Sequence, residues 1–136
     1  MTMLKLLRRC QQGAAAIEFA IAVPVLVVFI YGIFQVGLLY EANAGMQHAL
    51  GEGARLASLY DKTTTDKVPT DTAIKAKMSA QLFGQNDGTF TVADPVQGTG
   101  FKTLTITYSR AMSFLFLPGP TVTLTRTKKV YTVINT

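Results

Sequence analysis

An α+β fold is predicted: one long N-terminal membrane-spanning helix that continues into a small exported head with an antiparallel sheet of about three or four strands. Three observations predict it. From Phe19 to Leu39 run 21 residues without a charge, a length that matches the hydrocarbon core of a bilayer. Small and apolar residues then recur at helical spacing to about Tyr60. Beyond Gly88 the apolar period changes to two, with Leu104, Ile106 and Tyr108 alternating with Thr103, Thr105 and Thr107, the mark of a half-buried strand.

The expected organisation is a leader at 1–13, a helix at 14–60 (span about 17–40, outer half about 41–60) and a head at 61–136. As a helix, Phe19–Leu39 is about 31 Å long. A chain of 136 residues offers too little mass to surround a helix that is apolar on every side. Lys5, Arg8 and Arg9 precede the run and Glu41 is the first charge after it. The positive-inside rule therefore keeps the leader cytoplasmic and exports the head. Pro24 removes one backbone donor inside the span and should loosen the helix there. Gln35 is a lone polar residue deep in the run, suited to a hydrogen bond with another helix.

Past the span, Gly45, Ala49, Gly53 and Ala57 recur every four residues as a slim stripe, flanked by Met46, Leu50, Leu56 and Leu59. Such a stripe admits close backbone approach, from a second subunit's helix or from the chain's own sheet. Gly45, Gly51 and Gly53 each weaken a lone helix by about 1 kcal/mol, so packing must compensate. Asp61–Pro69 reads as an exposed loop. Thr70 or Asp71 caps a second helix bearing Ile74, Met78 and Leu82 on one face, and Gly84–Gly88 ends it with turn residues. Phe90–Ala93 is a first strand and Asp94–Gly100 a loop. Ala111–Leu117 and Thr121–Val133 are strands joined by a turn at Pro118-Gly119-Pro120. Arg126, Lys128 and Lys129 on the last strand solvate an edge.

Composition narrows the function. The formal charge is +5, but a chain trimmed after Gly13 carries 10 basic and 8 acidic residues, a balance of +2. That is no nucleic-acid footprint. The lone Cys10 precludes an internal disulfide, and a lipoprotein cysteine would follow an apolar stretch rather than precede one. His48 is also alone; it stands four residues from Glu52 on a helix, close enough to pair, and lacks the companions a metal site needs. No Ser/His/Asp set or phosphate-binding loop is present, so neither enzyme chemistry nor a cofactor is expected.

Glu18 is the only ionised group between Arg9 and Glu41, and a carboxylate at the edge of a span is costly. A secretory signal peptide ending at Ala42-Asn43-Ala44, which would release a binding domain, has too long an apolar region to fit well. A plain membrane anchor leaves Glu18 unexplained. Gly13-Ala14-Ala15-Ala16-Ile17-Glu18-Phe19-Ala20-Ile21-Ala22-Val23-Pro24-Val25-Leu26 resembles the start of a type IV pilin-class protein. It most resembles the TadE/TadF pseudopilins of the tight-adherence (Tad, Flp) pilus system, without separating the TadE from the TadF type. Over about residues 8–45, the resemblance implies that a prepilin peptidase cuts between Gly13 and Ala14, leaving Glu18 at mature position five. Phe19 stands where the family usually has Tyr. Pro24 matches the family's proline, and Tyr31–Gly37 its small-residue stretch. The implied role is structural: a minor pilin in pilus assembly and surface adherence. It is held in the bacterial inner membrane among lipid, the prepilin peptidase, other pseudopilins, the Flp-type major pilin and the pilus platform.

The spacing has its own chemistry. Gly13 lets an extended backbone approach a protease. Cleavage would create an ammonium at Ala14, about one helical turn from Glu18. That ammonium and a neighbour's carboxylate, desolvated together, favour association over an isolated helix. Ala14, Ala15, Ala16, Ala20 and Ala22 keep this end slim enough for helix contact.

Overall fold

A computed structural model describes residues 11–59, 68–114 and 117–132. The leader before Gln11, the helix's expected end at Tyr60 and the loop residues Asp61–Lys67 lie outside them. Two helices and four strands follow in the order α1 (Gln11–Ala57), α2 (Asp71–Ala80), β1 (Thr89–Val92), β2 (Val96–Gly98), β3 (Phe101–Phe114) and β4 (Leu117–Tyr131). The predicted α+β arrangement is therefore present, with a four-stranded antiparallel sheet.

β3 is the spine of that sheet. β1 pairs with Ile106–Ser109 and β2 with Phe101–Thr103 along one edge, while β4 lines the other from Tyr131 to Leu117. Side chains of β3 alternate strictly: Lys102, Leu104, Ile106, Tyr108, Arg110 and Met112 are buried and the intervening residues are not. The Thr-rich face stays solvated, and Thr107 meets Thr125 across it at 3.3 Å. Two expectations need correction here. The segment expected as the Asp94–Gly100 loop contains β2, which pairs with the start of β3. Pro118-Gly119-Pro120 is no turn, because it lies inside β4. Ser113 pairs with Pro118 and Ala111 with Thr121, so Gly119 and Pro120 together oppose Met112 in a bulge. Proline survives there because an outer strand and a bulge both spare it a ladder donor.

The buried face of the sheet lies on the distal half of α1. Ala42, Met46, Ala49, Leu50, Ala54 and Ala57 interlock with Ile74 and Met78 of α2 and with Leu104, Ile106, Tyr108 and Val130. Thr70 caps α2, its hydroxyl accepting from the Ala73 amide at 3.2 Å. Gly84 and Asn86, at φ 74° and 45°, make the tight return that turn residues allow. α1 ends at Ala57, so Leu59 lies beyond the helix and is exposed. His48 faces the Gln81 amide oxygen at 3.3 Å rather than Glu52, which stands 3.9 Å from Lys77.

Lys102 is buried against the α2 terminus and donates to Asp71 at 2.7 Å. Tyr108 donates its phenol proton to the Gln85 carbonyl at 3.0 Å and packs at a tilt against Phe90, with ring centroids 4.7 Å apart. Burial raises the Tyr108 phenol above its ordinary 10.0.

The stripe's fit is steric. A Cβ on Gly45 would overlap the Phe83 carbonyl oxygen, and one on Gly53 the Met78 side chain, whereas Gly51 has nothing within 4 Å. Gly45→Ala should therefore cost about 2 kcal/mol through overpacking against backbone. Gly51→Ala should raise stability by up to about 1 kcal/mol through helix propensity. Thermal melts of the detergent-solubilised chain read both signs. Tyr108→Phe should cost about 1 kcal/mol below pH 10. Because the native phenol's raised pKa favours the neutral form, its contribution is complete below 10.0 and lost as pH climbs through the raised value. The variant's stability should therefore fall less steeply than the wild type's in alkaline denaturation.

Candidate functional site

Every residue of α1 from Gly13 to Ile30 is exposed, including Ile17, Phe19, Ile21, Val25, Leu26, Phe29 and Ile30, each more than half exposed. Those 18 residues form a bare rod about 27 Å long. No part of its apolar window is covered by the head, and among the described residues it belongs to the one helix long and apolar enough to cross a membrane. Such a helix fits a membrane anchor.

The residues expected to carry processing and assembly fall on both halves of α1. Gly13, Ala14, Glu18 and Phe19 lie on the first turns of the bare rod, all exposed. Three and four residues from Glu18 stand only Ala14, Ala15, Ile21 and Ala22, so its own helix offers no cationic side chain to compensate the carboxylate. Pro24 also sits on the exposed rod, and α1 continues through it without a break. Gly45, Ala49, Gly53 and Ala57 are instead buried, packed against the chain's own α2, Phe83 and β3. The structure thus separates the site residues: a bare end holding Glu18, and a stripe that seats the head.

Two polar ties fix where the head meets the helix. Gln35 is 2 % exposed and donates its amide to the Ser113 carbonyl at 3.1 Å, so its hydrogen bond runs to the chain's own hairpin. Two turns further on, the Arg126 Nε donates to the Asn43 side-chain oxygen at 2.8 Å. Val36, Leu39, Tyr40, Asn43, Leu124 and Arg126 enclose a mainly apolar groove of about 230 Å³ between helix and sheet. Arg126 therefore does more than solvate an edge. Lys129 lies over the Phe101 ring at 5.1 Å, on the opposite face of β4.

Sequence reasoning missed three of these residues. Lys102 and Arg110 sit on the buried parity of β3, where Arg110 reaches Asp87 at 3.6 Å. The period-two pattern assigned that parity to the core, and it was the signal that could have placed both cations inside. Asn43 carried no signal of its own.

Residues 13–55 match the family model described as TadE-like protein. The match covers the bare rod, both ties' helix residues and most of the small-residue stripe. It bears out the resemblance drawn from the N-terminal residues. No curated protein and no solved structure matches the chain.

The Asn43–Arg126 tie has a measurable worth. A partly buried hydrogen bond from a charged donor contributes about 1.5–3 kcal/mol. Arg126→Ala should lower unfolding stability by that order in urea titrations of the detergent-solubilised chain, and Lys128→Ala, at an exposed neighbour on the same strand, should not.

Proposed function

We propose that this chain is a minor pilin, or pseudopilin, of a Tad-type pilus, a structural subunit for pilus assembly and surface adherence. In this reading it matures by prepilin-peptidase cleavage after Gly13. The observation that carries it is a bare apolar rod with a single carboxylate near its start, lying within a segment that matches a TadE-like family model. The rod anchors the chain in the inner membrane with the head on the far side. Glu18 then compensates the Ala14 ammonium of a neighbouring subunit. The partners are the peptidase, other Tad pseudopilins, the Flp-type major pilin and the membrane platform.

Physical reasons support this over its rivals. A buried charge pair rewards association, since separating the two in lipid strands both. Release by signal peptidase after Ala44 would require cutting the middle of α1, beside the buried Ala42 and the Asn43–Arg126 bond. A plain anchor assigns Glu18 no work.

Mass spectrometry of the mature N-terminus separates the three. The pilin reading expects a chain starting at Ala14; one starting at Gly45 means release, and an intact Met1 means a plain anchor. Gly13→Trp should leave the precursor uncut in cells that carry the Tad machinery. Glu18→Gln should be processed yet fail to assemble into pili, as seen by surface piliation and adherence. Normal piliation by the Glu18→Gln chain would sink the charge-pairing role.

A further inference from the structure

The last described residues of β3, Ser113 and Phe114, lie alongside the part of α1 that continues directly from the bare rod. The Ser113 carbonyl takes the Gln35 amide, and the Phe114 ring lies close enough that a Cβ on Gly32 would stand 3.8 Å from it. Both helix residues belong to the charge-free run that ends before Glu41. Gln35 is six residues short of Glu41, hence about 9 Å nearer the bare rod along the axis. The hairpin shares the helix's lack of charge: no charged residue occurs between Arg110 and Arg126. Arg126 is tied to Asn43, two residues past Glu41, and Arg110, which opposes Val122 nearer the hairpin end, is buried and paired with Asp87 rather than displayed.

We infer that the end of the β3–β4 hairpin, carried by Ser113, Phe114 and Pro118, seats in the lipid of the head-side leaflet, against α1 at the boundary between headgroups and acyl chains. Phospholipid is the occupant because the surface is continuous with the bare rod and its depth matches the 5–10 Å to which interfacial apolar faces bury. Exposed Tyr40 stands at the same boundary, where aromatic rings with a polar tip settle. The backbone is adapted to a dry setting. Unpaired donors are costly in lipid, and two of the four residues Pro118–Thr121 of this outer strand have no N–H. On β3, the Ser113 carbonyl has its partner in Gln35.

The inference rests on reading the bare rod as a membrane span, and one experiment tests the two separately. In a Cys10→Ser background of the full chain, single cysteines are introduced as Ser113→Cys, Val25→Cys and Gln97→Cys. Each is labelled with an environment-sensitive fluorophore and reconstituted in phosphatidylcholine–phosphatidylglycerol vesicles carrying spin-labelled lipids. The Ser113 side chain is exposed and only its carbonyl makes the tie, so the substitution preserves it. Pro118→Cys, also at an exposed position and opposite Ser113 on the other strand, is a second reporter. Expected are blue-shifted emission and loss of fluorescence to shallow spin labels at 113 and 118, quenching by deep labels at 25, and a water-like signal at 97. If 113 and 118 remain as water-like as 97 while 25 is quenched, the rod spans and this inference falls. If 25 is also unquenched, both readings fall.

Discussion

Along α1 the chain changes its solvent without changing its backbone. From Gly13 to Ile30 every side chain is uncovered; from Gln35 onward one face is sealed by the head, down to Met46 and Ala49 at zero exposure. No loop or cap intervenes, so one continuous helix carries an uncovered apolar surface at one end and a packed core at the other. Everything else follows from where that change occurs. The sheet needs α1 for its buried face, because β3 offers Leu104, Ile106 and Tyr108 on one side and threonines on the other. α2 needs it too, since its Ile74 and Met78 have only that core to enter.

Seating the sheet so close explains the glycines. A helix that carries Gly45, Gly51 and Gly53 forfeits about 1 kcal/mol of propensity at each, and two of the three recover it by admitting neighbours where a methyl group would collide. At Gly45 the neighbour is backbone, the Phe83 carbonyl, which cannot rotate away as a side chain can. Gly53 admits Met78 and stands beside Leu104. A stripe of small residues reads equally well as an interface between subunits until the partner is visible; here its partner is the rest of the same chain.

The parts legible in the sequence are those where periodicity and chemistry agree. The helix and the alternation of Leu104, Ile106 and Tyr108 follow from local rules with one solution, whereas those rules leave the cap of α2 open between Thr70 and Asp71, and Thr70 fills it. The hairpin was harder. Pro118-Gly119-Pro120 has the composition of a turn, and local propensity alone places it there. The ladder to β3 overrides it with a bulge, since an outer strand forgives a proline that an inner strand would not. β2 was hidden for a related reason: three residues between Pro95 and a Gly-containing turn gain strand character only by pairing with Phe101–Thr103. The ties of Gln35 and Arg126 were illegible because each spans about eighty residues of sequence. A lone polar residue in an apolar run announces that it needs a partner, not where the partner lies.

Those two ties have a mechanical meaning for the head. Hydrophobic contact between sheet and helix is non-directional and would tolerate sliding along the axis. A hydrogen bond to a carbonyl at Gln35 and another to a side-chain oxygen at Asn43 do not tolerate it, because a shift of a few ångströms breaks both. They sit eight residues apart, about 12 Å along the helix, and so resist tilting as well as translation. The head is thereby held at one height relative to Glu18, with Pro24 the one breach in the intervening hydrogen-bond ladder. Between the carboxylate and the head, α1 is otherwise one uninterrupted helix. Whatever sets the depth of Glu18 also sets the height at which the sheet is displayed.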